Sequence, residues 1–574
     1  MTYFIKEWNM DKLKFPVLTL ACAIASVSSF SALANPATPK LVVQITVDGL
    51  RGDLLDRYKH NFSEKGFKYL LDEGTHYTNA HFQHSNTETI VGHVSLATGT
   101  TPSVHGMVGN VWFDRTLERL VYNVEDADYH MLNAGAGVDK ATEIDPTQKT
   151  ALMDGRSPIP MLTTTFADEL MLSTNGQSKV FSVSIKDRGA ISLAGHTGKA
   201  FWFSKAQGEF ATSNYYYDQY PQWVNDWNEQ QLAQQYADKS WQLSLPKSDY
   251  TLINTSHDHK IELAGFHNTF PHPYGEGDNK YFTTKLTLSP AGDELTADFA
   301  KKLMVEEQLG KGKHTDFLAV SFSSNDYVIH MFGANGLETE DNLLRLDKTL
   351  ADFFNHLDQQ VGLENTLIVL SADHGVPEIA PHAHEIGYHE AGYFDADNLL
   401  TLGVKKRLKE QFNLGEDAIT LFSDPYIYLN RDLIAKKKLV LADVQAAIAE
   451  EVMKVEGVEM AITSSNIETN RVPQSRAGQL VINNHHPQRS GDVYIVFAPR
   501  KYINDLEGLV IASKHGSPWR YDTHVPIIFA GYDIKGQRID REVTPYDIAP
   551  TLSNKLRITL PSGATGKVLE EVSQ

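Results

Sequence analysis

Short β-branched runs that are apolar on consecutive positions, not on alternate ones, constrain this chain most. They stand at 41–47 (LVVQITV), 180–185 (VFSVSI), 316–322 (DFLAVSF), 366–370 (TLIVL) and 525–529 (VPIIF). A strand that is apolar on both faces must be covered on both, which calls for a largely parallel sheet with helices packed on each side. Amphipathic helical patterns at 164–172 (TTFADELML), 295–308 (LTADFAKKLMVEEQ) and 340–360 (EDNLLRLDKTLADFFNHLDQQ) alternate with these runs. The chain therefore reads as an α/β protein whose sites lie beyond the carboxyl ends of its strands. Two regions depart from that rhythm. Residues 199–290, rich in Tyr, Trp, Gln and Asn, read as an inserted cap. Residues 400–500, with PYIYLNR, LADVQAAIAEEVMKV, VEMAITS and GDVYIVFAP, read as a small α+β insertion.

Residues 15–34 (FPVLTLACAIASVSSFSALA) follow Lys12 and Lys14 and end in Ala32-Leu33-Ala34, the pattern of a signal peptide cleaved before Asn35. Residues 1–34 are thus read as a leader and 35–574 as the mature chain, periplasmic or secreted from a bacterium. No later stretch has the roughly 20 apolar residues of a spanning helix, so no stable membrane anchor is expected after cleavage. The single cysteine, Cys22, lies in the leader. The mature chain then has no disulfide and no thiolate ligand, and any metal must be held by His, Asp, Glu or a hydroxyl oxygen. With 52 Lys plus Arg against 72 Asp plus Glu, the formal charge is −20. A sequence-independent nucleic-acid binder needs a basic face, so nucleic acid is not an expected partner.

Chemically active residue types cluster just after the expected strands. Asp48 ends LVVQITVD; Asp326 and His330 follow in SSNDYVIH; Asp373 and His374 stand in SADHG; His515, in SKHGSPW, shortly precedes VPIIF. Singly, such an Asp is a turn or cap residue and such a His is structural. As a set, carboxylates plus imidazoles suit zinc, or a pair of divalent ions. Asp326 and His330 share a face if their segment makes a helical turn. In HSNTETIVGHVSLATG, Thr89 precedes a helical stretch, where a hydroxyl is well placed for an anion or a metal. The alternative is that Thr87 or Thr89 caps that helix. In an extended Lys186-Asp187-Arg188 segment the two cations would share a face about 7 Å apart and converge on one anion; the alternative is an exposed polar strand end. His382, His384 and His389 in PHAHEIGYHE read as a solvated loop, not a third metal site, as do His485 and His486.

In their order along the chain, ITVDGLRGD, TETIVGH, HGMVGNVWFD, SIKDRGA, SSNDYVIH, SADHG, HGSPWRYDTHVPIIF and TPYDIAPTL resemble the alkaline phosphatase superfamily. The nearer resemblance is to its threonine-nucleophile alkaline phosphatases, the monoesterase branch related to type I phosphodiesterase/nucleotide pyrophosphatases. It runs from residue 40 to the C-terminus and implies an alkaline-phosphatase-like fold with two zinc ions. Asp48, Thr89, Asp373 and His374 would hold one ion, and Asp326, His330 and His515 the other. The resemblance makes Thr89 the nucleophile, four residues before His93, although Val91 stands where the family usually has proline. It also favours His515 over His524 as the last ligand. Asn110, Lys186 and Arg188 would contact the non-bridging phosphoryl oxygens. The implied activity is hydrolysis of small-molecule phosphate monoesters through a phosphothreonine. Two cations besides the metals favour a dianionic monoester over a monoanionic diester. The alternative is a phosphodiesterase or nucleotide pyrophosphatase of the same superfamily, whose site lacks the paired Lys and Arg. A sulfatase would need a modifiable Cys or Ser at the nucleophile position, and a metal-free binding relative would not need all seven ligand positions.

Overall fold

The computed structural model describes residues 38–252, 259–263, 265–506 and 508–573, so the expected signal peptide and its cleavage site lie outside the described residues. The central sheet is formed by β1 (Leu41–Val47), β2 (Thr75–His81), β3 (Val180–Ser184), β4 (Lys199–Ser204), β5 (Glu209–Ala211), β6 (Asp316–Phe322) and β7 (Thr366–Ser371), with two later strands. Between β7 and those two come β8 (Ile419–Ser423), β9 (Tyr426–Leu429), β10 (Val458–Thr463) and β11 (Val493–Phe497), which form a separate sheet. The late central strands are β12 (His524–Gly531) and β13 (Gln537–Ile539), and the central order is β13-β2-β12-β7-β1-β6-β3-β4-β5.

Five adjacent strands, β7-β1-β6-β3-β4, run parallel, with Leu41 facing Asp316 on one side and Thr366 on the other. Every residue of β1, β6 and β7 is buried, as runs apolar on consecutive positions require. β12 pairs antiparallel with both β7 and β2. The end at which β12 begins therefore lies with the carboxyl ends of β1, β2, β6 and β7, and this brings the loop before β12 to the same rim.

Helices from the same segments cover the sheet: α1 (Thr89–Thr98), α2 (Phe166–Ser173), α3 (Asp187–Ala194), α4 (Pro290–Glu306), α5 (Ser324–Phe332) and α6 (Leu337–Gln360). All ten residues of α1 are buried, and Gly99 at φ +68° ends it in the left-handed conformation. β8 to β11 form an antiparallel sheet in the order β8-β9-β11-β10. It packs with the helices Leu402–Phe412 and Leu441–Val452 around its own core, including Ile427, Ile448 and Ile495.

The sequence reading needs two corrections. The segment expected as a cap from residue 199 begins inside the central sheet: the aromatic run of β4 pairs in parallel with β3, and β5 returns beside it as the sheet edge. The short helices Gln222–Asn228 and Phe282–Thr287 follow only after this. Nor is Lys186-Asp187-Arg188 extended. Lys186 is the residue before α3 and Arg188 lies in its first turn, where the Asp187 carboxylate accepts the Arg188 N–H at 2.8 Å.

Candidate functional site

At the rim defined by these strand ends, Asp48 follows β1, Asp326 and His330 lie on α5 after β6, and Asp373 and His374 follow β7. Gly49 makes the turn at φ +74° and donates its N–H to the Asp373 carboxylate at 3.1 Å, which links the β1 and β7 ends. Asp326 and His330, four apart, share one face of α5. His515 arrives from the loop before β12.

Two groups of ligand atoms converge there: Asp326, His330 and His515, and Asp48, Asp326 and His374. His330 Nε2 lies 3.3 Å and His515 Nε2 3.4 Å from Asp326 Oδ1. His374 Nε2 lies 3.4 Å from carboxylate oxygens of both Asp48 and Asp373. In each imidazole Nδ1 is within hydrogen-bond reach of a backbone carbonyl: Ser513 for His330, Gly375 for His374 and Thr87 for His515, at 2.7, 3.0 and 2.6 Å. A proton fixed on Nδ1 leaves Nε2 directed at the carboxylates, the arrangement expected of metal-binding histidines.

The fit to cations rests on unmet polar demand. Asp48 Oδ1, Asp326 Oδ1, Asp373 Oδ2 and His374 Nε2 are buried without a hydrogen-bond partner. Three carboxylates share one lysine: Lys186 Nζ sits 2.8 Å from Asp48 and 2.5 Å from Asp326. Burial pushes the Asp48 carboxyl up, but Lys186 overrides it and holds the group below the carboxylate range. Asp326 is likewise held well below that range, burial being outweighed by His330 and Lys186. Asp373, farther from the lysine, is pushed up by burial and by Asp48. His374 is raised to about 9 because Asp373 and Asp48 outweigh its burial, whereas His515, stacked on it at 3.5 Å, is lowered to about 3 by burial and by the His374 charge. Buried carboxylates in this excess call for further positive charge, and oxygen and imidazole donors without thiolate suit divalent ions.

Beside this cluster is a cavity of about 360 Å³ whose inner end is lined by Thr89, Asn110, Arg188, Asp326, His330 and His515. Thr89 is the first residue of α1, and the residue before it, Glu88, makes no side-chain cap. The Thr87 hydroxyl donates to the Ser517 carbonyl at 3.0 Å, so neither threonine caps the helix. Arg188 Nη2 donates to Thr89 Oγ1 at 3.5 Å, while its Nη1 donates to the Asp145 carboxylate at 2.9 Å. Asn110 Oδ1 accepts the Ile90 N–H at 3.1 Å, which leaves the amide NH2 for a ligand.

The structure therefore brings all seven expected ligand residues to one rim and differs from the expectation in the partition. The Asp326 carboxylate belongs to both groups, whereas Asp373 spends Oδ1 on the N–H groups of Gly49 and His374 and has Oδ2 3.1 Å from His93 Nδ1. Lys186 stands behind the cavity, on the carboxylates, and only Arg188 of the pair reaches the lining. His524 is elsewhere, bonded to the Thr78 carbonyl and stacked on His81. His382 lies in the helix Ala380–Glu385, with His384 and His389 exposed; none joins a candidate metal group among the described residues.

Residues that sequence reasoning missed are Asp145, which fixes Arg188, and Glu88, whose Oε2 accepts the Asn110 N–H at 2.6 Å. Burial raises the Glu88 carboxyl. Asp145 follows no strand and belongs to no motif, so nothing near it signals its role.

One contact underlies the whole assembly. A Cβ at Gly92, on α1, would lie 1.9 Å from the Asp373 carbonyl oxygen. Gly92→Ala must therefore push the helix that carries Thr89 away from the β7 loop. We expect a destabilisation of about 1–3 kcal/mol together with weaker divalent-metal retention, read by thermal melting and by metal analysis of the purified variant. An unchanged melt would mean that the helix and loop are not in close contact.

Comparison with known proteins gives concordant matches. Residues 42–518 match the type I phosphodiesterase / nucleotide pyrophosphatase family. The chain is 38% identical over 550 residues to alkaline phosphatase PafA of Elizabethkingia meningoseptica, covering 93% of this chain and 94% of that one. It is 35% identical over 583 residues to alkaline phosphatase PhoV of Synechococcus elongatus, covering 98% and 100%. The crystal structure of wild-type PafA superposes with a TM-score of 0.82 at 34% identity, over 94% of this chain and 99% of that one. PafA was also solved as a variant altered at a threonine, at an asparagine 21 positions later, and at a lysine and an arginine two positions apart.

Proposed function

The chain belongs to the type I phosphodiesterase / nucleotide pyrophosphatase family, within the alkaline phosphatase superfamily, and is an alkaline phosphatase; from that premise we propose that it hydrolyses phosphate monoesters through a phosphothreonine on Thr89 at a two-zinc site. One observation carries the reading: Thr89, Asn110, Arg188 and the Asp326-His330-His515 group line the inner end of a single cavity. Thr89 and Asn110 are 21 positions apart and Lys186 and Arg188 two apart, the spacings of the residues altered together in PafA.

Asp48, Asp373 and His374, with Thr89, would hold one ion, and His330 and His515 the other, with the Asp326 carboxylate placed to serve both. Zinc ions held there would supply Lewis-acid charge, which lowers the pKa of a hydroxyl and offsets developing negative charge. The remaining work falls to the chain. The Thr89 oxygen attacks phosphorus as the P–O bond to the alcohol breaks, giving phosphothreonine and the free alcohol. Water then attacks phosphorus, the Thr89–phosphorus bond breaks, and inorganic phosphate leaves with the threonine hydroxyl restored. The Arg188 fork, anchored by Asp145, holds two non-bridging oxygens, and the Asn110 NH2 meets another. Lys186, from behind, offsets the Asp48 and Asp326 charge that would repel a dianion. Such catalysis is positioning and charge stabilisation.

Among the described residues no helix is long and apolar enough to cross a membrane. With the leader-like N-terminus, this supports a periplasmic or secreted enzyme. Arg188→Ala is expected to lower monoester kcat/KM by about 10²–10³-fold and diester kcat/KM distinctly less, because a diester presents one fewer charge to the guanidinium. A panel of aryl monophosphates and bis-aryl phosphates, assayed with and without chelator, tests the whole reading. Activity should favour the monoester and disappear on chelation. A wild-type preference for the diester, or an equal loss on both substrates in the variant, would point to the phosphodiesterase alternative.

A further inference from the structure

Beyond its polar inner end, the cavity that holds Thr89 is walled by apolar residues from segments far apart in sequence. Val111 and Ile144 come from the region after α1, Leu288 from the segment before α4, Met331 from α5, Phe422 from β8 and Ile511 from the loop before β12. Ile144, Leu288, Met331 and Ile511 are almost wholly buried, at 9, 1, 3 and 3% exposure, so these are built walls and not loose surface. A phosphoryl group at Thr89 leaves most of the space unfilled: a cavity of roughly 150 Å³ already holds a benzene ring, and this one is about 360 Å³.

The charge on the walls is as informative as their apolarity. Apart from Arg188, the lysine and arginine residues of the described lining reduce to Lys514, whose ammonium is engaged by the Asp424 carboxylate. Asp505 and Glu88 also face the cavity. Lys514 is thus no unpaired cation for a second phosphate, and the Thr147 and Thr150 hydroxyls on the lining donate to the Asp145 carboxylate and the Pro146 carbonyl, not to a sugar.

We propose that this chamber is a leaving-group subsite selecting monoesters of apolar alcohols, aromatic ones above all, over those of sugars, polyols or phosphorylated alcohols. The proposal rests on the phosphatase reading above and adds the substrate class to it. Phe422 is its outer specificity residue. It belongs to the small antiparallel sheet, so that insertion contributes directly to what the site accepts.

The test compares 2-phenylethyl phosphate with ethyl phosphate and glycerol phosphate, all esters of aliphatic alcohols, so that the reacting bond is alike. The wild-type enzyme is expected to favour the phenylethyl ester by about tenfold or more in kcat/KM, the scale on which an apolar pocket discriminates. Phe422→Ala, and separately Ile144→Ala in case the first variant folds poorly, should shrink that ratio several-fold, chiefly through KM for the phenylethyl ester. Equal kcat/KM for all three esters in the wild-type enzyme would overturn the subsite and leave the phosphatase reading standing. An unchanged ratio in both variants would also overturn it. Hydrolysis of none of the esters, including aryl monophosphates, would overturn the phosphatase reading itself and the subsite with it.

Discussion

Thr89→Ala is expected to reduce phosphate-ester turnover by about 10³-fold or more, while Thr87→Ala loses less than about tenfold, the scale of one structural hydrogen bond. The two hydroxyls are two positions apart but differently employed. Thr87 donates to the Ser517 carbonyl and helps hold the loop that carries His515. Thr89 has a single long contact, 3.5 Å from an Arg188 nitrogen, and faces the cavity. Because neither side chain caps α1, removing the Thr89 hydroxyl should leave the melting temperature nearly unchanged. Loss of turnover without loss of stability separates a nucleophile from a structural threonine. Acid-quenching the wild-type enzyme during turnover and locating the phosphoryl group by mass spectrometry gives an independent reading: it should sit on Thr89. Equal losses at the two threonines, or a phosphoryl group elsewhere, would remove Thr89 from this role.

Much of the fold was legible because it follows from burial. Runs such as 41–47 and 316–322, apolar on both faces, are strands with those bounds. What sequence could not supply was pairing. The VPIIF run reads like its neighbours, yet β12 runs antiparallel to both strands it joins, since strand direction depends on the path of the connecting chain and not on composition. Residues 199–204 were misplaced for a related reason. An aromatic, partly polar run is ambiguous until a partner strand is known, and that partner, β3, ends 15 residues earlier.

The candidate ligand residues were readable because Asp48, Asp326, Asp373 and His374 closely follow strand ends, where chemistry concentrates in such sheets. Their sharing was not. Whether Asp326 serves one group or two depends on distances across β1, β6 and β7, which no spacing in the chain encodes. Asp145 was invisible for the same reason: its bond to Arg188 spans 43 positions. The Lys186 and Arg188 pair is legible by residue type but not in geometry, because α3 begins at Asp187, directly after Lys186, and nothing in the spacing of the pair marks that start.

The shared carboxylate yields the second large effect. Asp326→Asn is expected to lower bound divalent metal by more than one ion per chain and turnover by about 10³-fold or more, whereas His330→Ala should release a single ion. Asp326 is the residue common to both candidate groups, with Oδ1 facing His330 and His515 and Oδ2 on Lys186. Its carboxyl is held well below the usual range by His330 and Lys186, so asparagine removes a negative charge from between the two groups. Breaking a buried pair costs about 3–5 kcal/mol, since Lys186 would keep only Asp48. A melt must therefore accompany the metal analysis, and the His330 variant, which breaks no lysine pair, is the control. A folded Asp326→Asn protein that keeps the full wild-type metal content would show that the two groups do not share this carboxylate.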